Sequence, residues 1–213
     1  MSGERRLRIG PAAASAAALD APLAWLRRGG IVIVPTDTLY GLAVDPRSAA
    51  AVADVFDLKG RDDQAALPLL AASGAQVEET IGRLGPVGRD LAARFWPGPL
   101  ALILDAPEEV APAVHAGTGG VAVRVPAHEI ARRLALEFGW PLTATSANRS
   151  GSPAVRSVAA LAALAADRRV FTIDAGLVPG GAASTIVDVR PTPPRLVREG
   201  AVAWSRVLES MHA

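Results

Sequence analysis

Three apolar runs in this sequence lead directly into side chains that bind anions or form hydrogen bonds. The run IVIVP leads into Thr36, Asp37 and Thr38, the run VAV leads into Arg124, and the run LTA leads into TSAN at residues 145–148. In an open α/β sheet, ligands bind beyond the carboxyl ends of the strands. These groups are therefore predicted to converge on one pocket. A structural interpretation also stands, because threonine and serine form turns and helix caps and arginine is common at surface strand ends.

Two cations flank a glycine in Lys59-Gly60-Arg61, at the end of a helix-like stretch. Cations are favourable at helix C-termini, so the cluster is interpreted either as a helix end or as a clamp for a polyanion. In a clamp, lysine supplies a point charge and arginine a planar fork for phosphate or carboxylate oxygens. Ser184 and Arg198, near the end of the chain, offer another hydroxyl and another cation.

Several familiar catalytic motifs are absent from the sequence. It contains no Walker-type phosphate loop, no G-x-G-x-x-G after a strand and no G-x-S-x-G nucleophile elbow. The absence of cysteine excludes disulfides, thiolate metal sites and a cysteine nucleophile. His115, His128 and His212 are too scattered to predict a metal site. The chemistry is expected to use oxygen and nitrogen groups, without a metal held by protein ligands.

The elements that must position these residues follow from the hydrophobic pattern. Apolar and β-branched runs predict strands at residues 31–34, 67–72, 100–104, 121–125, 142–144, 170–173 and 185–189. Helical spacing predicts helices at residues 15–28, 48–58, 88–95, 129–138 and 158–166. Their alternation indicates an α/β domain. Residues 106–120, rich in proline and glycine, are predicted to form a loop that borders the site or simply lies at the surface.

Composition limits the possible classes of protein. With 213 residues, 50% of them hydrophobic, the chain is expected to form one domain over residues 1–213. It has no apolar run of the roughly 20 residues that a membrane helix needs, and no signal-peptide pattern, which predicts a soluble cytoplasmic protein. The net charge of +1 is far from that of a typical nucleic-acid-binding protein, so RNA binding would need a local basic patch.

Seven segments, in order, resemble the motifs of the YrdC-like threonylcarbamoyl-AMP synthases. They are PTDTLYGLAVDP, KGR, PGPLALIL, VAVRVPAH, PLTATSANRSG, STIVDV and LVREGA, within about residues 30–201. The resemblance implies a twisted mixed sheet flanked by helices, with a concave electropositive site. It also implies that L-threonine and bicarbonate are joined to AMP from ATP, with Mg²⁺ on the phosphates. The product would serve tRNA modification, directly or through a partner threonylcarbamoyl transferase complex.

The resemblance also implies roles for individual residues. Threonine would be bound by Thr38, Arg124, Ala144 and Ser184, and ATP by Arg61, Gly120, Ser146, Asn148, Ala154 and Arg198. Lys59 and Arg61 would be catalytic, while Thr36 and Thr145 would line the same pocket. The sequence departs from the family pattern at Asp62, Ala66, Leu70 and Ala101.

Two other functions fit the sequence. A non-catalytic RNA-binding module would use the concave positive surface, and a carbamoyl-transfer enzyme would resemble the YrdC-like domain of hydrogenase maturation proteins. That maturation system includes zinc-finger domains, and this chain without cysteine has no zinc finger. The synthase reaction needs no protein nucleophile, because positioning of the substrates and electrostatic stabilisation of the transition state are sufficient for catalysis. It therefore suits a sequence without a recognisable catalytic triad.

Overall fold

The computed structural model describes residues 5–10, 15–60, 65–148 and 155–211. In chain order the strands are β1 (Arg6–Arg8), β2 (Ile31–Val34), β3 (Gly41–Ala43), β4 (Leu69–Leu70), β5 (Leu100–Asp105), β6 (Gly120–Arg124), β7 (Leu142–Thr143), β8 (Thr145–Ser146), β9 (Val170–Asp174), β10 (Thr185–Asp188) and β11 (Arg195–Arg198). The α-helices are α1 (Asp20–Arg27), α2 (Ala49–Lys59), α3 (Gly74–Thr80), α4 (Gly85–Phe95), α5 (Pro112–His115), α6 (Glu129–Phe138), α7 (Ala162–Ala165) and α8 (Trp204–Met211). Short 3-10 helices at Ala17–Leu19 and Val158–Leu161 precede α1 and α7.

The first sheet has the strand order β1-β9-β2-β3-β8. β1, β9 and β2 run parallel to one another, whereas β3 is antiparallel to both β2 and β8. All four residues of β2 are buried, as its continuous apolar sequence predicts. Ile31 and Ile33 pack into one hydrophobic core, and Val32 and Val34 into a second core that includes residues of α1 and α6. This sheet therefore separates two cores.

The second sheet has the strand order β11-β10-β5-β6-β4-β7 and is also mixed. β10 and β5 are parallel, as are β6 and β4, whereas the remaining neighbours are antiparallel. A register shift interrupts the pairing of β10 with β11 between Ile186 and Val187. The carboxyl end of β6 lies beside the start of β5, which places Arg124 near Ala101.

The two sheets meet at Ala144, which separates β7 from β8. β7 pairs with β4 of the second sheet, and β8 pairs with β3 of the first. The backbone N–H of Ala144 donates to the carbonyl of Pro68 at 2.7 Å. The hydroxyl of Thr143 accepts a hydrogen bond from the N–H of Val44 at 3.0 Å. The strand predicted at residues 142–144 is observed as β7, which ends at Thr143 because the chain crosses at Ala144 from one sheet to the other.

The α/β class and the mixed strand directions are confirmed, with two sheets where one was expected. β2 and α6 have the predicted bounds, and α2 begins after its N-cap Ser48 and ends at left-handed Gly60 (φ 57°). The predicted helix at 158–166 is divided between a 3-10 turn and α7. Residues 106–120 contain α5, and no part of that segment lines the cavity described below. Within the described ranges, no helix has both the length and the apolarity to cross a membrane.

Candidate functional site

A cavity of about 230 Å³ lies at the junction of the two sheets. Predicted site residues from both sheets and their loops line it: Thr36, Thr38, Arg124, Ala144, Thr145, Ser146, Ser184 and Arg198. The rest of the described lining is made of apolar residues and glycine: Leu39, Gly41, Ala66, Pro68, Leu70, Ala101, Ala183 and Ile186. The predicted convergence of residues that follow the three apolar runs is thus observed for Thr36, Thr38, Arg124, Thr145 and Ser146. Ala66, Leu70 and Ala101, which depart from the family pattern, also contact the cavity.

The loop after β2 is organised by the hydroxyl of Thr36. This hydroxyl accepts hydrogen bonds from the N–H groups of Thr38 and Leu39, both at 3.2 Å, and donates to the carbonyl of Leu39 at 2.6 Å. Behind the loop, the buried Tyr40 hydroxyl donates to the carbonyl of Gly176 at 2.8 Å. Burial raises the pKa of Tyr40, which keeps this donor protonated. Thr36 therefore forms a turn, as its structural interpretation predicted, and this turn presents Thr38 to the cavity.

Arg124, at the end of β6, is buried and paired with Asp37. Its Nη1 donates to Asp37 Oδ1 at 2.8 Å and Oδ2 at 3.1 Å, and to the carbonyl of Gly98 at 3.4 Å. The Arg124 side chain is only 8% exposed and that of Asp37 only 12%. The interpretation of Arg124 as a plain surface charge is therefore wrong, because the guanidinium is held between the protein interior and the cavity.

Lys59, the last residue of α2, supports the cavity wall from behind. Its Nζ donates to the carbonyls of Ser146 and Asn148 at 2.5 and 2.7 Å, and to Asn148 Oδ1 at 3.3 Å. The hydroxyl of Ser146 donates to the same Oδ1 at 2.5 Å. Lys59 is 3% exposed and is not among the residues that line the cavity, and neither is Asn148. The structure therefore places the lysine as a support for Ser146 and Asn148, whereas a direct phosphate contact was predicted.

Arg198 and Ser184 form another part of the cavity wall. Nη2 and Nε of Arg198 donate to the carbonyl of Ser184 at 2.8 and 3.2 Å. The backbone of Gly200 approaches so closely that a Cβ at this position would lie 2.1 Å from the carbonyl oxygen of Ala183. Partial desolvation lowers the pKa of Arg198, which nevertheless stays cationic near neutral pH because arginine titrates far above it. This wall therefore presents one hydroxyl and one cation to the cavity.

Among the described residues, Gly120 is a second predicted ATP contact, after Asn148, that does not reach the cavity. Gly120 lies at the other end of β6 from Arg124, opposite Asp105, and does not line the cavity. A Cβ on Gly120 would lie 2.4 Å from the guanidinium of Arg190, so the glycine is explained by packing. Arg61 and Ala154 lie outside the described residues, as does Asp62.

Asp37, which pairs with Arg124, and His128, which lies within the electrostatic influence of that carboxylate, were missed as functional candidates. Asp37 was noted only as part of a polar cluster, and nothing in the sequence pairs it with an arginine 87 positions away. His128 directly precedes α6, and its Nδ1 is buried without a hydrogen-bond partner in the described part of the chain. Burial lowers the pKa of His128, and the nearby charge of Asp37 partly opposes that effect. Asp37 thus interacts with Arg124 directly and with His128 through its charge.

A larger depression, of about 950 Å³, lies elsewhere on the surface. Alanines of α1 and α7, together with Trp25 and Phe171, form much of its lining, and three arginines border it. It contains none of the predicted site residues. We assign the site to the smaller cavity, because convergent hydroxyl and guanidinium groups determine chemistry more directly than volume does.

Comparison with known proteins agrees with this assignment. The Sua5/YciO/YrdC family model, described as "Telomere recombination", matches residues 24–200. Threonylcarbamoyl-AMP synthase of Thiobacillus denitrificans is 37% identical over 166 residues, which cover 78% of this chain and 88% of that protein. The enzyme of the same name from Halorhodospira halophila is 40% identical over 178 residues, covering 83% of this chain and 88% of the relative.

A solved structure of a relative has the same fold as this chain. The crystal structure of Pyrococcus abyssi Sua5 complexed with L-threonine superposes on this chain with a TM-score of 0.87 at 33% identity. The match covers 97% of this chain and 60% of that one. The family model spans most of the chain, and its match includes every described residue that lines the cavity. The chain therefore belongs to the Sua5/YciO/YrdC family.

Proposed function

We propose that the protein joins L-threonine, bicarbonate and ATP to form threonylcarbamoyl-AMP and pyrophosphate. The product is the activated precursor of threonylcarbamoyladenosine in tRNA, and we expect the protein to act in the cytoplasm. The observation that carries the proposal is the convergence of two arginines and five hydroxyl side chains on one cavity, all at positions of the family motifs. Relatives that carry the synthase name align with the chain over most of their own length.

The cavity suits the amino-acid half of the reaction. Its volume of about 230 Å³ is smaller than the roughly 300–1,000 Å³ typical of pockets for larger ligands. Arg124 provides donors for a carboxylate, and Ser184 and Thr38 provide partners for the threonine hydroxyl or amine. Pro68, Leu70 and Ala144 offer apolar surface for its methyl group. ATP is too large for the same space, so it would enter past Ser146 and Arg198 and extend beyond the cavity.

The reaction we propose has two steps. The threonine amine attacks the carbon of bicarbonate to give a carbamate and water. A carbamate oxygen then attacks the α-phosphorus of ATP, and the bond to the β-phosphate oxygen breaks to release pyrophosphate. Neither step uses a protein nucleophile, so the protein must hold anionic reactants together and compensate the charge that develops on the phosphate. Arg198 and, outside the described residues, Arg61 are the candidates for that compensation.

We propose that Mg²⁺ accompanies the phosphates of ATP. In the described ranges, no cluster of three acidic or histidine side chains could hold a metal, and the one carboxylate beside the cavity, Asp37, is paired with Arg124. This donor set fits Mg²⁺ held mainly by phosphate oxygens and water, an arrangement that the ion commonly adopts. When bound, it would neutralise phosphate charge, while positioning would remain the task of the protein side chains.

The decisive experiment is mass spectrometry of the products formed from ATP, L-threonine and ¹³C-bicarbonate. We expect threonylcarbamoyl-AMP that carries one ¹³C atom, together with one equivalent of pyrophosphate, and no product when any one substrate is omitted. Binding to RNA in a salt-sensitive way without ATP consumption would instead favour the RNA-binding module. Use of another carbamoyl donor, with no requirement for threonine, would favour the maturation enzyme.

A further inference from the structure

All hydrogen bonds that Arg124 makes to the described residues come from one of its three nitrogens. Nη1 contacts both carboxylate oxygens of Asp37 and the carbonyl of Gly98. Nε and Nη2 make no hydrogen bond to any residue that the structure describes. The guanidinium is planar and carries its five N–H groups in a fixed fork, so Nε and Nη2 form one edge with two parallel donors. That edge is the part of Arg124 that remains for a ligand.

The negative charge of Asp37 is unfavourable for binding an anionic ligand at Arg124. A carboxylate next to Arg124 cancels much of the charge that would attract an anionic ligand, and it repels that ligand's own carboxylate. If attraction alone mattered, the site would bind an amino acid better without Asp37. The carboxylate is nevertheless built into the site, with a side chain only 12% exposed. Besides compensating the charge of the buried guanidinium, the pair fixes its orientation, which is a geometric contribution.

We propose that Asp37 is a positioning residue, which fixes Nη1 of Arg124 so that the Nε–Nη2 edge receives the carboxylate of the amino-acid substrate. The inference rests on the proposed function and extends it to one edge of one side chain. An unconstrained arginine would lose conformational freedom each time it bound a ligand. In this arrangement the arginine side chain loses its conformational freedom when the protein folds. The substrate then binds to a guanidinium that is already oriented.

The test compares steady-state constants of the wild type and Asp37→Asn. We expect the KM for L-threonine to rise about tenfold, within the range of coupling energies for contacting residues, while the KM for ATP changes less than twofold. Arg124→Lys provides an independent test of the edge: it keeps a charge that can pair with Asp37 but has no second edge, and it should show the same selective loss for threonine. Asp45→Asn is the matched control, since it breaks another short Asp–Arg pair, with Arg47 at 2.9 Å, outside the cavity.

Each result of these measurements either supports or overturns the positioning role of Asp37. Unchanged or tighter threonine binding by Asp37→Asn would show that electrostatic relief outweighs positioning and would overturn the proposal, as would an equal rise of both KM values. If Asp37→Asn fails to fold, as judged by circular dichroism, Arg124→Lys carries the test, and normal threonine use by that variant would reject the fork. A wild type that makes no product from threonine would refute the proposed function and this inference with it. An active wild type with an unaffected Asp37→Asn would refute the inference alone.

Discussion

Lys59 is the only lysine in a chain rich in arginine, and its surroundings explain why arginine would not serve there. Among the described residues, the ammonium lies within 3.3 Å of three oxygens of Ser146 and Asn148. A compact group with three donors suits this arrangement, whereas a planar guanidinium needs more space and a different spread of acceptors. At 3% exposure there is little room for the larger group.

Replacing Lys59 tests whether this residue supports Ser146 and Asn148 or takes part in catalysis. For Lys59→Met we expect the KM for ATP to rise about tenfold, because a buried carbonyl left without its donor typically costs about 1–3 kcal/mol and Ser146 would shift. The rate at saturating ATP should fall much less, and Lys59→Arg should not restore binding. Steady-state kinetics measure both constants. A drop in kcat of a hundredfold or more with an unchanged KM would instead return Lys59 to the catalytic role predicted from the sequence.

Arg198 is the described cation best placed to act on phosphate. We expect Arg198→Ala to reduce the rate of synthesis about a hundred- to thousandfold, the usual effect of removing one preorganised donor, with the fold intact. Arg195→Ala is the matched control, since it removes a 73% exposed arginine from the same strand. Turnover and thermal unfolding of both variants give the comparison. Near-normal turnover in a folded Arg198→Ala protein would remove this residue from the reaction.

Residue types at strand ends could be predicted from the sequence, whereas their partners could not. Thr38, Arg124 and Ser146 follow apolar runs, and that local signal was sufficient to place them near one another. The pairing of Asp37 with Arg124 and the burial of Lys59 depend on contacts between distant segments. Nothing in the local pattern distinguishes a lysine that faces a ligand from one that faces a carbonyl.

At the scale of secondary structure, the shortest strands decide the geometry of the site. β7 and β8 have two residues each, and β4 has two as well. Such segments are too short to show the alternation that identifies a strand. The sequence signal is therefore one apolar run at residues 142–144 followed by polar residues, although the chain changes sheets at Ala144. This crossing is what brings Ala144, Thr145 and Ser146 to the cavity.

Arg169 connects α2 to β9 through a cluster of carboxylates. It pairs with Asp54 and Asp57 of α2 at 2.9 and 2.7 Å, and with Asp167 at 2.9 Å. The hydrogen bond from the Arg169 side chain, more than any other interaction, lowers the pKa of Asp167 to about 2. Because the native state holds this carboxylate in its charged form, the pair stabilises the fold above the pKa of the unfolded chain, near 3.8.

The stability of Asp167→Asn should therefore depend on pH. Near pH 7 we expect a loss of about 1 kcal/mol. The lowering of the Asp167 pKa from 3.8 to about 2 sets a ceiling of about 2.5 kcal/mol, and solvent screening reduces it at this partly exposed site. The difference from the wild type should shrink as pH falls from about 4 towards 2, where Asp167 becomes protonated in the native protein as well. Urea unfolding at a series of pH values measures it. Asp105→Asn, at a 90% exposed carboxylate, is the control and should change little at any pH.

At the scale of the whole molecule, alternating helices and strands were sufficient to predict the α/β class. The division into two sheets was not foreseen, because it depends on which strands pair. β1, β3 and β11 were missed altogether. Arg6–Arg8 and Arg195–Arg198 carry charged residues on strands that each have a single neighbour, and Gly41–Ala43 has only three residues. Edge strands such as β1 and β11 have little hydrophobic signal. β3 lies between β2 and β8 and is too short to show alternation.

The surface of the molecule offers little that would read a particular RNA base. The net charge is only +1. In the described ranges, the exposed large hydrophobic side chains are aliphatic: Leu136, Leu177, Val197 and Leu208. Sequence-specific recognition of single-stranded RNA generally relies on aromatic side chains that stack on bases. The cavity accounts for a small amino acid and part of a nucleotide, so selection of one adenosine in a tRNA requires something further.

We therefore expect the isolated protein to make threonylcarbamoyl-AMP but not to modify tRNA efficiently. A mixed anhydride is labile in water, which favours transfer to a transferase complex that holds the tRNA and receives the product close to where it forms. The test supplies purified protein, ATP, bicarbonate, L-threonine and unmodified tRNA, then digests the RNA and measures threonylcarbamoyladenosine. Direct assay of threonylcarbamoyl-AMP in the same mixture is the control that the synthase is active. Efficient modification at a single adenosine with no other protein present would contradict transfer of the product to a separate transferase complex. It would mean that this chain has a surface that recognises the RNA sequence.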